Sequence, residues 1–383
     1  MKKTLIFLAA AAALVACSKS EVTPALNSAD TEISYLVAPK TKAEAQTEFN
    51  NSWTFKSTAF YLPKAESWAS HTSTSTPAEY IKGVDISYDA TDNVWRNADN
   101  KYYWPKDGKL TFFAWTSLKQ GTVTGTYDDT KKVVKPTENQ TVSYLASGVS
   151  VDATNGVKIE NYDVTADANK NYDLLVADIK ADQTKNTDLA TYYKVGVPTL
   201  FHHKLSQVFF TAVTVDSKKA AYDYKGNDGI TFTLNSITFK SIDKTNTYTQ
   251  GVTESSCAGA WGTASATGDL TYTKYTSGKE LNNTVTPLVE DGNLYYYLPQ
   301  SFEADQTASD CFVVDYKITY ANGTVENLKA TFPLNSATAG NVIFDQWEMG
   351  KRYTINLQFS LNEILWDPAV EEWEDANKEE TVS

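Results

Sequence analysis

Leu14, Val15, Ala16 and Cys17 stand in a row, and that order of residue types suits two coupled reactions. The Cys thiolate is a nucleophile that can take a diacylglyceryl group, and the small residues before it fit an extended peptide into a peptidase site. Cleavage before Cys17 would free its amine for a further, palmitate-type acylation. The flanks agree with this lipobox reading. Lys2 and Lys3 form a basic start, and residues 4–13 form an apolar run shorter than the roughly 20 residues a permanent spanning helix needs. Each buried methylene of an acyl chain contributes roughly 0.8 kcal/mol, so two or three chains anchor a protein durably. Residues 1–16 are therefore expected to be a lipoprotein signal peptide, with Cys17 lipidated and a polar leash behind it.

Other chemistry is sparse. There is no GxSxG elbow, no Walker loop, no HExxH and no GxGxxG after a strand. The three histidines are His71 and the adjacent His202 and His203. In a strand-like run one of that pair points inward, and a buried hydrogen-bonded His is the expected role rather than a metal ligand. No CxxC is present, so no zinc site is expected. The Asp and Glu residues are scattered, with no pairing that marks a glycosidase. The expectation is no enzyme, no cofactor and no metal. Cys257 and Cys311 can pair after export, which would stabilise by about 4 kcal/mol, or can remain as two buried thiols; both readings stay open. Trp95, Tyr102, Tyr103, Trp104 and Trp115 can form a platform for sugar rings, although packing in a core is the favoured role.

The net charge is −13, with nearly all positive charge on Lys and arginine only at Arg96 and Arg352. Such a chain lacks the basic footprint that nucleic acid or anionic head groups require. Nucleic-acid binding is excluded, and any membrane attachment would come from lipid.

The elements that must position these residues are strands. Aromatics make up 13% of the chain, Tyr leads them with 23, and Met occurs only twice; this is the usage of pleated, half-buried surfaces. Tyr353, Ile355, Leu357, Phe359 and Leu361 alternate with Thr354, Asn356, Gln358 and Ser360, which predicts a strand with one face on a core and one in water. Phe312, Val314, Tyr316, Ile318 and Tyr320 repeat the pattern, closed by the hairpin dipeptide Asn322-Gly323. Strands are also predicted over 109–115, 157–164, 173–178, 207–215 and 230–240. Short helical turns are expected at 43–49 and 76–81, and loops at 119–139 and 182–190. Many short strands with regular turn signals predict an all-β chain of β-sandwiches. The length suggests two domains, with the boundary near 190: a leash at 17–45, an N-terminal sandwich at 46–190 and a C-terminal one at 191–383.

Ordered motifs then carry a family resemblance. Asp173-Leu-Leu-Val-Ala177 followed by Val197-Pro-Thr-Leu-Phe-His-His-Lys-Leu-Ser-Gln-Val-Phe-Phe210 resembles the paired signature strands of the Bacteroidales fimbrillins, the subunits of type V pili. Tyr102-Tyr103-Trp104-Pro105 with Leu110-Thr-Phe-Phe-Ala-Trp115 resembles the centre of their N-terminal domain. Leu298-Pro299-Gln300 and Trp347-Glu-Met-Gly-Lys-Arg-Tyr-Thr-Ile355 resemble their C-terminal domain. The resemblance runs from about residue 50 to 370. It implies two tandem transthyretin-like (Ig-like) sandwiches and a lipid-anchored precursor at the outer membrane and in surface fimbriae. It also implies that a trypsin-like protease removes an N-terminal strand, so that a neighbouring pilus subunit can donate its own.

Carried onto this sequence, Ile33, Tyr35 and Val37 are the candidate removable strand, and Lys40 and Lys42 are the candidate cleavage sites. No Arg precedes Arg96, whereas the family commonly offers Arg there. Ile364, Trp366 and Val370 are candidate donor knobs, or else the residues of a last strand that completes its own domain. A monomeric surface lipoprotein that binds glycan or a host ligand is the competing expectation.

Overall fold

The structure, a computed structural model, describes residues 32–37, 49–71, 77–165, 170–185, 196–215, 229–253, 259–272, 278–290, 293–303, 310–337, 343–361 and 363–373. Among these residues the chain is all-β, with one short 3-10 turn at Trp68–Ser70 and no α-helix. No helix among them is long and apolar enough to cross a membrane.

The N-terminal lobe is built around one ten-stranded sheet. Its main path runs Val197–Thr199, Tyr35–Val37, Val94–Arg96, Ala78–Asp89, Thr54–Leu62, Lys109–Lys119, Tyr172–Ala177 and Phe201–His203. The first and last strands of that path are separated in sequence by Leu200 alone. The sheet must therefore coil back on itself, and it encloses a core of Phe55, Ile81, Ile86, Trp95, Phe112, Leu175 and Phe201. Its central strand, Lys109–Lys119, is buried nearly throughout because both faces are covered. Phe112 and Ala114 face the enclosed core, while Phe113 and Trp115 join a larger core on the other side.

The C-terminal lobe packs two sheets face to face. One centres on the 19-residue strand Thr231–Thr249, which pairs with Cys311–Thr319, and Val325–Pro333 pairs with the outer side of that strand. The other carries Ser206–Thr214, Lys351–Phe359 and Ile364–Glu372. Their aromatic seam includes Phe210 on Phe239 at 5.5 Å, Phe210 on Phe312 at 5.7 Å and Tyr316 on Phe359 at 5.5 Å, the offset and edge contacts that aromatic cores prefer. The far end of Thr231–Thr249 leaves this lobe and pairs with Gly156–Asp163, so one sheet continues between the lobes. The expected boundary near 190 falls within 186–195, outside the described residues.

Most expected strands form, and the Asn322-Gly323 turn closes the hairpin with Gly323 at φ +82°. Four expectations fail. Residues 78–81 are strand rather than a helical turn, paired to Thr54–Leu62. The expected loop at 119–139 contains the hairpin Val123–Asp128 and Val133–Glu138. That hairpin covers the side of Lys351–Phe359 expected in water: Val134 N donates to Thr354 Oγ1 at 3.0 Å and Asn356 Nδ2 to the Lys132 carbonyl at 3.0 Å. Thr354 and Asn356 are consequently buried; Ser360 is buried as well, bonded to Glu363, while Leu361, beyond the strand end, is exposed. Within the expected loop at 182–190, Lys180–Gln183 runs as a strand on Lys109–Lys119, and residues from 186 onward lie outside the described set.

Candidate functional site

The strand Tyr35–Val37 occupies a distinctive place. It pairs in parallel with Val197–Thr199 on one side and antiparallel, through Tyr35, with Trp95 on the other. The Val197 amide donates to the Ser34 carbonyl at 2.8 Å and the Ile33 amide to the Tyr102 carbonyl at 2.7 Å. It is thus the strip that joins Val94–Arg96 to Val197–Thr199 and completes the coil of the sheet. It is also the first described segment of the chain, and residues 38–48 behind it lie outside the described set.

Alternation seats its side chains. Ile33 and Tyr35 point into the enclosed core, each 3% exposed, while Val37 is half-buried. The Tyr35 ring stands edge-on to Phe55 at 5.5 Å and Phe112 at 5.8 Å. Its hydroxyl donates to Ser57 Oγ at 2.9 Å, and burial pushes that hydroxyl well above the usual tyrosine range. Gly196 lies against the strand: a β-carbon there would sit 2.9 Å from Leu36 N and 2.9 Å from the Tyr35 carbonyl carbon. No side chain fits at 196 while the strand is in place.

Charge marks the start of the strand. Glu32 lies 3.7 Å from the Arg96 guanidinium and 3.5 Å from Lys101 Nζ. Arg96 is itself held by Asp89 and by Asp92 at 2.7 Å. These contacts hold Arg96 at the rim of the slot.

The terminal strand Ile364–Glu372 lies at the edge of its sheet, antiparallel to Lys351–Phe359 from the Phe359–Ile364 pair to the Lys351–Glu372 pair. Ile364 is buried and Trp366 stands edge-on to Phe312 at 5.5 Å, whereas Val370 is 43% exposed. The three candidate knobs share one face of the strand; Ile364 and Trp366 pack on this lobe's own core, and Val370 stays exposed. Trp373 then turns inward and stacks on His203 at 3.7 Å and on Tyr296 at 5.4 Å.

That stack caps a buried polar network. His203 Nδ1 bonds Asp173 Oδ1 at 2.9 Å, with both side chains essentially inaccessible. Gln140 links Asp173 to Glu138, whose carboxylate also accepts from Tyr296 and Gln207. Arg352 Nε donates to Gln207 at 2.7 Å. Burial raises the Glu138 carboxyl above its ordinary value despite these donors. Residue 138 keeps some exposed surface, but its carboxylate is enclosed. His202 points away, 3.1 Å from Asp178.

Several expected positions separate. Trp95 lies in the enclosed core and Trp115 in the larger core on the opposite face of the sheet. With Tyr103 39% exposed and Tyr102 and Trp104 half-buried, the five aromatics do not share a sugar-binding face. Cys17, Lys40, Lys42 and Cys257 lie outside the described residues; Cys311 is buried at the head of its strand. No group of three metal-ligating side chains occurs among the described residues. Glu32, Arg96, Gly196 and Trp373 carry contacts that the sequence alone did not single out. Only the acid directly before the Ile33 alternation could have drawn the eye.

Comparison with solved structures finds a similar fold. A fimbrial protein of Bacteroides vulgatus superposes with a TM-score of 0.55 at 16% identity, covering 90% of this chain and 100% of its own. A tip fimbrial protein, Mfa3 of Porphyromonas gingivalis with a C-terminal truncation, matches at 8% identity and a TM-score of 0.33, over 90% of this chain and 100% of its own. No curated protein matches the chain by sequence. The fimbrillin-like family matches residues 64–373, most of the chain, and the chain belongs to that family.

Proposed function

We propose that this protein is a structural, non-enzymatic subunit of surface fimbriae that polymerises by donor-strand exchange. The observation that carries this reading is the strand at residues 32–37. It lies at the start of the described chain, it closes the N-terminal sheet, and it is flanked on both sides by strands. Its removal would bare the edges at Trp95 and Val197 together with the slots of Ile33 and Tyr35. Such an opening is a template for another chain's strand. Burying one large apolar side chain contributes roughly 1.5–3 kcal/mol, so a strand that fills several slots would bind durably.

In this reading Cys17 carries the acyl chains that bring a closed precursor to the outer membrane. Cleavage at Lys40 or Lys42 then separates the anchor and the strand from the rest of the chain in one step. The partners are other pilus subunits, and adhesion is a property of the assembled fibre. The test is direct. Lipid-free chain is treated with a trypsin-like protease, and the new N-terminus and size distribution are followed. Trimming at Lys40 or Lys42 followed by SDS-resistant ladders is the expected result; a clean, persistent monomer after trimming defeats the proposal.

A further inference from the structure

We propose that the groove holding residues 32–37 accepts residues 363–368 of a second copy of this chain in one fixed register: Glu363 in the place of Glu32, Ile364 in that of Ile33, and Trp366 in that of Tyr35. The inference rests on the donor-strand reading above and names its occupant. The resident strand reads Glu32-Ile33-Ser34-Tyr35, and the edge strand at the other end of the chain opens Glu363-Ile364-Leu365-Trp366. Both present an acid, an isoleucine, a spacer and a ring. In both, the isoleucine and the ring share one face and turn toward a core: Ile33 and Tyr35 are buried, Ile364 is buried and Trp366 packs on Phe312. Both spacers lie on the opposite face, Ser34 half-buried and Leu365 52% exposed.

The rim of the groove selects for the acid. Arg96 and Lys101 converge on Glu32 in a chain whose net charge is −13 and which has only one other arginine. Removing the resident strand would take away the carboxylate that Arg96 and Lys101 share, leaving Arg96 with Asp89 and Asp92, and Glu363 restores it. A one-residue slip would move Ile364 and Trp366 to the outward face. A two-residue slip would move Glu363 away from Arg96, so apolar and ionic contacts agree on a single alignment. The ring position keeps its polar partner as well, because an indole N–H can donate to Ser57 Oγ as the Tyr35 hydroxyl does. Pro368 then falls on Val37, the last residue of the resident strand. Among the described residues Ile364–Glu372 is an edge strand paired with Lys351–Phe359 alone, so donation breaks one ladder and frees Ile364 and Trp366 from this lobe's own core.

Cross-linking reads this register. Pro198 is exposed and pairs with Leu36, so Asp367 of a neighbouring copy should lie beside it. In a Cys257→Ser background, lipid-free chains carrying Pro198→Cys and Asp367→Cys are trimmed with a trypsin-like protease and then oxidised. Disulfide-linked ladders through 198 and 367 are expected, with little linkage when Leu365→Cys or Ala369→Cys replaces Asp367→Cys. Glu363→Lys should slow ladder formation roughly threefold or more, the scale of one half-exposed ion pair, and Trp366→Tyr should preserve it while Trp366→Ala abolishes it. Ladders that link 198 to 365 or 369, or that form without either link, overturn the register and leave donor-strand exchange standing. No ladders from the unsubstituted chain after trimming overturn both.

Discussion

At the scale of single residues, the Asp173–His203 pair explains why those two signature positions belong together. Each sits on its own strand, Tyr172–Ala177 and Phe201–His203, and the ladder sets Leu175 opposite His203, which brings the carboxylate to the imidazole. Asp173→Ala should lower stability by about 1–3 kcal/mol, because it strips a buried ring nitrogen of its partner; the midpoint of urea unfolding measures this. Glu138 provides a pH test. Its folded carboxyl is raised above the unfolded value, so the folded state binds the proton more tightly. Its contribution to stability is complete below the unfolded value and is lost as pH rises through the folded one. Unfolding midpoints measured from about pH 4 to 7 should decline less steeply in Glu138→Gln than in the unsubstituted chain. Alternation alone predicts that one of His202 and His203 is buried, whereas the Glu138 network draws on strands far apart in sequence and left no local trace.

At the scale of elements, the strand at residues 32–37 is held by few backbone bonds and two large buried side chains. Gly196→Val would drive a branched side chain into the backbone at Tyr35 and Leu36, and overpacking of this kind costs about 1–3 kcal/mol. Amide exchange at residues 33–37 should accelerate about tenfold or more, with the urea midpoint of the rest of the chain changing little. Tyr35→Ala removes the ring contacts with Phe55 and Phe112, and large-to-small changes at buried aromatics cost about 3–5 kcal/mol. It should expose the segment to proteolysis before the remainder unfolds. Cys311–Thr319 and Lys351–Phe359 were legible because their apolar period is two. Ala78–Asp89 was not, since only Ile81 and Ile86 along it are fully buried and its exposed residues hide the alternation. The Val123–Glu138 hairpin was missed for a related reason: Pro136 and its charged neighbours read as loop, yet Val133 and Val134 are both buried.

At the scale of the whole molecule, the two lobes share structure. Beyond the common sheet, Gln120 Nε2 donates to the Asn293 carbonyl at 3.0 Å and Asn171 Nδ2 to the Tyr296 carbonyl at 3.1 Å. The larger core runs without a break from Phe60 and Trp115 to Phe312 and Leu357. Calorimetry of the lipid-free chain should show a single transition with matching calorimetric and van't Hoff enthalpies; two resolved transitions would mean the lobes fold independently. A fragment of residues 46–190 expressed alone would bare Phe113, Trp115 and the open edge of Gly156–Asp163, and it should aggregate. By itself the sequence determined the all-β class, the core-facing side of the clearest strands and the family, because side-chain alternation and ordered motifs are local properties of a chain. Only the tertiary structure decided that Tyr35–Val37 lies between Trp95 and Val197 and that Glu32 meets Arg96. A period of two fixes which way a side chain points, while the identity of the neighbouring strand depends on contacts between residues far apart in the chain.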